Sequence, residues 1–125
     1  MKVTISTIDE FKRQARRLSK KYKSLINDLR SFQKELKDNP FQGIDLGGGV
    51  RKIRMAISSK GKGKSGGARV LTLNVLVGDI GGRTEPDDTK GDEEIDVTLL
   101  TIYDKNEIDN VSDEYIKWLV SGFKK

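Results

Sequence analysis

The sequence predicts one α+β domain spanning residues 1–125, with an N-terminal strand and two helices packed on a mainly antiparallel sheet of about four strands and a C-terminal helix. Three observations carry this prediction. Apolar positions from Phe11 to Leu36 recur at helical spacing, and later stretches either alternate or run apolar in the manner of strands. A chain of 125 residues is also too short to give each of two domains an adequate core. Apolar residues make up only 34% of the chain, but their periodicity sets it apart from a disordered segment.

Lys2–Ser6 is β-branched and alternating, and reads as an opening strand. Thr7 and Glu10 stand three apart, which predicts a capping box with Thr7 as N-cap. Phe11, Ala15, Leu18, Tyr22, Leu25, Leu29, Phe32 and Leu36 then follow in alternating steps of four and three. One apolar helical stripe results, carried either by two helices meeting near Ser19–Ser24 or by one long helix. Asp38-Asn39-Pro40 ends it, because proline disfavours helical backbone in the residue before it. Gly43–Gly49 is a turn-rich approach to the strand Val50–Ser58. Parity places Ile53, Met55 and Ile57 on one face of that strand and Lys52, Arg54 and Ser58 on the other. Lys60–Gly67 is a glycine-rich connection, and Val70–Val77, apolar at nearly every position, reads as a central strand with Arg69 at its entrance. Residues 78–94 form a Gly/Asp/Glu-rich loop before a second buried strand, Val97–Tyr103. Ser112 is placed to cap a closing helix, Asp113–Val120, with Ile116, Leu119 and Val120 on its apolar side.

Composition restricts the chemistry. The chain has no cysteine and no histidine, which removes disulfides, thiol catalysis, thiolate zinc sites and the usual neutral-pH general base. No apolar run approaches the length of a membrane span, and no signal-peptide apolar block is present, so the chain is expected to be cytoplasmic. The formal charge of +5 conceals a segregation. Residues 1–37 carry 11 basic and 4 acidic side chains, residues 51–69 carry 7 basic and none acidic, and residues 79–96 carry 8 acidic and 2 basic. Seven like charges in one short stretch repel unless an anion compensates them, and a polyanion is the simplest compensator.

Two tempting motifs fail. Gly63-Lys64-Ser65 lacks the earlier P-loop glycine, Ser58 standing in its place, and a strand follows where a P-loop requires a helix. The acidic loop lacks the alternating carboxylates and closing glutamate of a calcium loop. What remains is a cluster of cations, Lys52, Arg54, Lys60, Lys62, Lys64 and Arg69, in which glycine lets main-chain N–H groups approach a phosphate backbone as well.

Arg51–Ile57, Lys60–Val70 (KGKGKSGGARV) and Leu99–Lys105 (LLTIYDK) together resemble toxins of bacterial type II toxin–antitoxin modules, the RelE/ParE superfamily and its HigB-like members. The Phe11–Leu36 stripe and the Asn39-Pro40…Gly43 turn extend the resemblance over most of the chain. It implies a microbial-ribonuclease-like fold and ribosome-dependent cleavage of mRNA, without a cofactor or metal. The partners it implies are the ribosome, mRNA and a helix-turn-helix or acidic antitoxin, with operator DNA reached only through the antitoxin complex and no membrane. The catalytic set it implies is Lys52, Arg54, Arg69, Tyr103 and Lys105, with Tyr115 an alternative tyrosine. Arg51, Lys60, Lys62 and Lys64 are the expected RNA-binding residues.

Such cleavage deprotonates a ribose 2′-OH, stabilises a pentacoordinate phosphorus and protonates the 5′-oxygen. Without histidine, the expected base is a lysine shifted by neighbouring cations, for which Lys52 beside Arg54 is placed, or an activated tyrosine. Arg69 suits the second task, since its fork of donors matches phosphate oxygens. Two alternatives stand beside this reading: a non-enzymatic toxin of the same fold that poisons DNA gyrase, and a plain nucleic-acid-binding module.

Overall fold

The computed structural model describes residues 2–77 and 93–123. The elements are β1 (Lys2–Thr7), α1 (Asp9–Lys21), α2 (Leu25–Asp38), β2 (Ile44–Gly47), β3 (Val50–Met55), a 3-10 turn (Ser58–Lys60), β4 (Ala68–Leu76), β5 (Glu94–Asp104) and α3 (Asp113–Phe123). Most of the acidic loop expected at residues 78–94 lies outside the described residues.

The fold is α+β, but its sheet is five-stranded and mixed, not a mainly antiparallel sheet of four. Strand order is β1-β5-β4-β3-β2, with β1 parallel to β5 from Lys2↔Glu94 to Thr7↔Leu99. Two local facts account for the difference. The opening strand, with Val3 and Ile5 turned toward the core, takes the otherwise open edge of β5. Gly43–Gly49, expected as an approach turn, contains β2, which pairs with β3 at Ile44↔Lys52 and Asp45↔Arg51. Ile44 and Leu46 remain largely exposed, so no burial pattern marked this strand.

The apolar stripe folds as two helices. Phe11, Leu18, Leu25, Leu29, Phe32 and Leu36 are all buried against Ile53, Met55, Ile57, Val70, Val97, Leu99 and Ile102 on one face of the sheet. Each such side chain contributes about 1.5–3 kcal/mol of burial free energy. The helices break at Tyr22, whose backbone is extended (φ −124°, ψ 114°) and whose hydroxyl donates to the Asp104 carboxylate. The expected capping box is not formed. Thr7 ends β1, Ile8 occupies the N-cap without a side-chain hydrogen bond, and Glu10 instead accepts bonds from Arg13, Gln14 and Tyr115.

α3 covers part of the opposite face, where Leu119 packs with Val50, Leu71, Leu73, Leu100 and Tyr103. Ser112 does cap it, its hydroxyl accepting the Tyr115 N–H at 3.1 Å. The strand expected to run to Ser58 ends at Met55. Ser58 enters the 3-10 turn, and its N–H and hydroxyl bind Asp28 at 2.9 and 2.5 Å. The sheet thus lies between α1/α2 and α3, and α3 leaves the β3 end of its face open.

A bulge in β5 decides what that open face displays. Leu71 pairs with Thr101 and Thr72 with Leu99, so Leu100 is the extra residue. Side-chain parity inverts there. Val97 and Leu99 face α1/α2, Ile102 beyond the bulge does too, and Tyr103 turns to the α3 side.

Candidate anion-binding site

Strand pairing assembles the site. Arg54 of β3 lies opposite Arg69 of β4, and Arg69 lies opposite Tyr103 of β5, giving one cross-strand row on the α3 side of the sheet. The next row on this face begins with Lys52, opposite Leu71. Neighbouring residues in such rows stand about 5 Å apart, so two guanidinium groups and a lysine share one small surface. A cavity of about 510 Å³ opens over them, lined by Lys52, Arg54, Lys64, Arg69 and Lys105 together with Asp109 and Asn110.

Arg69 is the best-built member. It is only 6% exposed, yet among the described residues no carboxylate pairs with it. Its guanidinium donates instead to the main-chain carbonyls of Lys64 (3.1 Å), Ala68 (3.1 Å) and Ser65 (3.2 Å). Those bonds satisfy part of its donor set and fold the glycine-rich loop back over the sheet, but they do not neutralise its charge. Burial, and then the adjacent Arg54, lower the pKa of Arg69 from its ordinary value, with Tyr103 opposing. The loop can close this tightly because residue 67 is glycine: a Cβ there would overlap the Met55 carbonyl oxygen.

Tyr103 lies beside Arg69 in the cross-strand row, outside the cavity lining. It is 3% exposed, and its hydroxyl is buried with no hydrogen-bond partner among the described residues. Burial is the main cause that raises its pKa, the Arg69 charge opposing and Asp109 adding to the rise. The same burial disfavours its ionised form. Lys52 reaches Asn110 Oδ1 at 3.2 Å, and the Lys105 N–H donates to the Gly67 carbonyl, joining the last turn to the loop.

Of the nine residues singled out in the sequence, five line the cavity and Tyr103 lies on the same face. Three lie elsewhere. Arg51 belongs to the other parity and ties down Gln42 and Gly43 through their carbonyls, at 2.8 and 3.2 Å. Lys62 is exposed on the loop outside the cavity wall. Lys60 is buried on the α1/α2 side, its ammonium 2.8 Å from the fully buried Asp104. The alternative tyrosine, Tyr115, donates to Glu10 at 2.8 Å and meets Thr101 at 3.1 Å, away from the cations.

Sequence reasoning missed Asp109 and Asn110. They reach the cavity because the chain after β5 turns sharply, with the N–H groups of Glu107 and Ile108 both donating to the Asp104 carbonyl. The only sequence signal was the turn-forming character of the Asp104–Asn110 stretch. Among the described residues no group of three or more Asp or Glu is arranged to hold a metal ion, and no helix is long and apolar enough to cross a membrane. No family model matches the chain, and no solved structure matches it.

Proposed function

We propose that this protein is the toxin of a type II toxin–antitoxin module, a ribosome-dependent endoribonuclease that cleaves mRNA in the cytoplasm. The observation that carries the proposal is the buried, carboxylate-free Arg69 standing beside Arg54 in a cavity that also gathers Lys52, Lys64 and Lys105. Cations held together against their mutual repulsion make a site for a phosphate group. In the proposed reaction the 2′-oxygen loses its proton and attacks phosphorus while the bond to the 5′-oxygen breaks. Arg69 and Arg54 stabilise the charge that accumulates on the phosphoryl oxygens. Lys52, or Asp109 across the cavity, accepts the 2′ proton, and Lys105 or Tyr103 is the donor to the departing 5′-oxygen. The ribosome would supply substrate alignment, which alone can be worth several kcal/mol.

The antitoxin is proposed to seat beside this cavity. A groove of about 970 Å³ between the β2–β3 hairpin and α3 shares Lys52 and Asn110 with it and is floored by Leu46, Val50, Ile116 and Val120. An acidic amphipathic segment matches apolar side chains to that floor and carboxylates to Lys52 and Lys117.

Primer extension on translated mRNA tests the reading. The wild type should cut within codons, and Arg69→Ala and Arg54→Ala should each cut at least about a hundredfold more slowly. Arg54 is exposed and bonds no loop carbonyl, so its variant separates lost charge from a disturbed loop. A wild type that leaves translated mRNA intact but inhibits supercoiling overturns the proposal in favour of a gyrase poison.

A further inference from the structure

The outer surface of α1 carries two parallel rows of cations that differ in one respect. Arg13, Arg17 and Lys21 follow one another at four-residue steps, and each has a carboxylate partner: Arg13 pairs with Glu10 at 2.7 Å, Arg17 and Lys21 share Glu107 at 2.9 and 3.0 Å, and Lys21 also lies 3.8 Å from Asp104. Lys12, Arg16 and Lys20 form the adjacent row at the same steps. All three are exposed, and among the described residues none has a carboxylate partner. A four-residue step advances about 6 Å along a helix, so these three charges lie on a line about 12 Å long. The opposite side of α1 is spent on the core, with Phe11 and Leu18 buried against the sheet.

We infer that the Lys12–Arg16–Lys20 row is a second polyanion surface, which docks on the sugar-phosphate backbone of double-helical RNA. The cavity faces the α3 side of the sheet and this row faces outward from the α1/α2 side, so one short strand cannot occupy both. The surface therefore calls for a second, structured segment of RNA. A regular line of phosphates matches a regular line of cations, and phosphate contacts of this kind position a protein without reading sequence. A lipid surface fits less well, because the apolar face that an interfacial helix would insert is already buried. The choice of RNA over DNA rests on the proposed function; the existence of the surface does not.

The test is a salt titration of binding to a labelled RNA hairpin, followed by fluorescence anisotropy, for three proteins. They are the wild type, K12Q/R16Q/K20Q, and R13Q/R17Q/K21Q, which loses the same net charge from the compensated row. The slope of log K against log salt should fall by about two to three in the first variant and by less than about one in the second. Circular dichroism confirms that both variants are folded. Equal slopes for the two variants would show that only net charge matters and would overturn the inference. So would an unchanged slope in the first variant, a matching DNA hairpin bound equally well, or a loss seen only with anionic vesicles. Hairpin binding requires no cleavage. A protein that leaves mRNA intact yet shows the row-specific slope would sink the nuclease reading and leave this surface standing.

Discussion

Lys60 and Asp104 form a buried ion pair whose worth can be set against experiment. Asp104 is completely buried and accepts from Lys60 Nζ at 2.8 Å, from the Asn106 N–H at 3.0 Å and from the Tyr22 hydroxyl. Burial alone would raise its pKa, but those bonds more than offset burial and bring it from 3.8 down to about 2. That difference corresponds to about 2 kcal/mol of stability at neutral pH. Because the folded pKa lies below the unfolded one, this contribution is complete above the unfolded value and drains away as pH falls toward 2. Removing one partner costs more, up to about 3–5 kcal/mol, since a buried charge then loses its close counter-ion; for Asp104 the half-exposed Lys21 ammonium at 3.8 Å remains as a weaker one. K60M and D104N should each lower stability by about that amount, while the double variant should recover about 2 kcal/mol relative to the sum. Urea denaturation of the four proteins at neutral pH gives the coupling directly, provided the slopes of the transitions agree. An acid titration of stability adds an independent check: the wild type should lose about 2 kcal/mol more than D104N between about pH 5 and pH 2. Additive costs together with parallel acid profiles would refute the argument, and would mean that the pair is merely adjacent.

Two further substitutions separate architecture from the proposed chemistry. Y103F removes a buried hydroxyl with no partner, so thermal unfolding should show no loss of stability and a gain of up to about 1 kcal/mol, while primer extension should show slower cleavage. Y115F breaks the bonds to Glu10 and Thr101 and should cost about 1–3 kcal/mol with cleavage retained. G43A should destabilise the protein by at least about 2 kcal/mol in urea. Residue 43 holds φ +80° and a Cβ there would overlap the Lys52 carbonyl oxygen, so oligoribonucleotide affinity measured by calorimetry should fall as well.

What could be read from the sequence is what repeats with a period. The α1/α2 stripe was legible because helices return to one face every three or four residues, and all of its large members are buried or packed on the core. The joint display of Lys52 and Arg54 was legible because strand parity is two, and it survives because β3 runs unbroken from Val50 to Met55. Arg69 fell into place because β4 pairs antiparallel with β3. Features that escaped depend on long-range partners or on single irregularities. The parallel docking of β1 on β5 leaves no local mark on either segment. Tyr103 reaches the α3 side only through the bulge at Leu100, and a strict alternation counted from Val97 would put it with the α1/α2 core. The Lys60–Gly67 loop has no period at all, so nothing in KGKGKSGG distinguished the lysine that turns inward from the one that lines the cavity.

The two ends of that loop hold cations in different ways. Lys60 at its start and Arg69 just beyond its end both have buried side chains held by hydrogen bonding. Lys60 is given a carboxylate, which accepts one of its donors and offsets its charge in one step. Arg69 is given three main-chain carbonyls, which satisfy donors and leave the charge standing, and it faces a second guanidinium instead of an acid. A buried charge without a counter-ion is a standing cost to stability. The fold reduces that cost at Lys60 with Asp104 and does not do so at Arg69, although Asp104 follows Tyr103, the strand neighbour of Arg69, by one residue. Strand parity puts the acid on one side of the sheet and the arginine on the other. The neutrality missing at Arg69 is therefore a consequence of register, and under the proposed function an RNA phosphate is what would complete it.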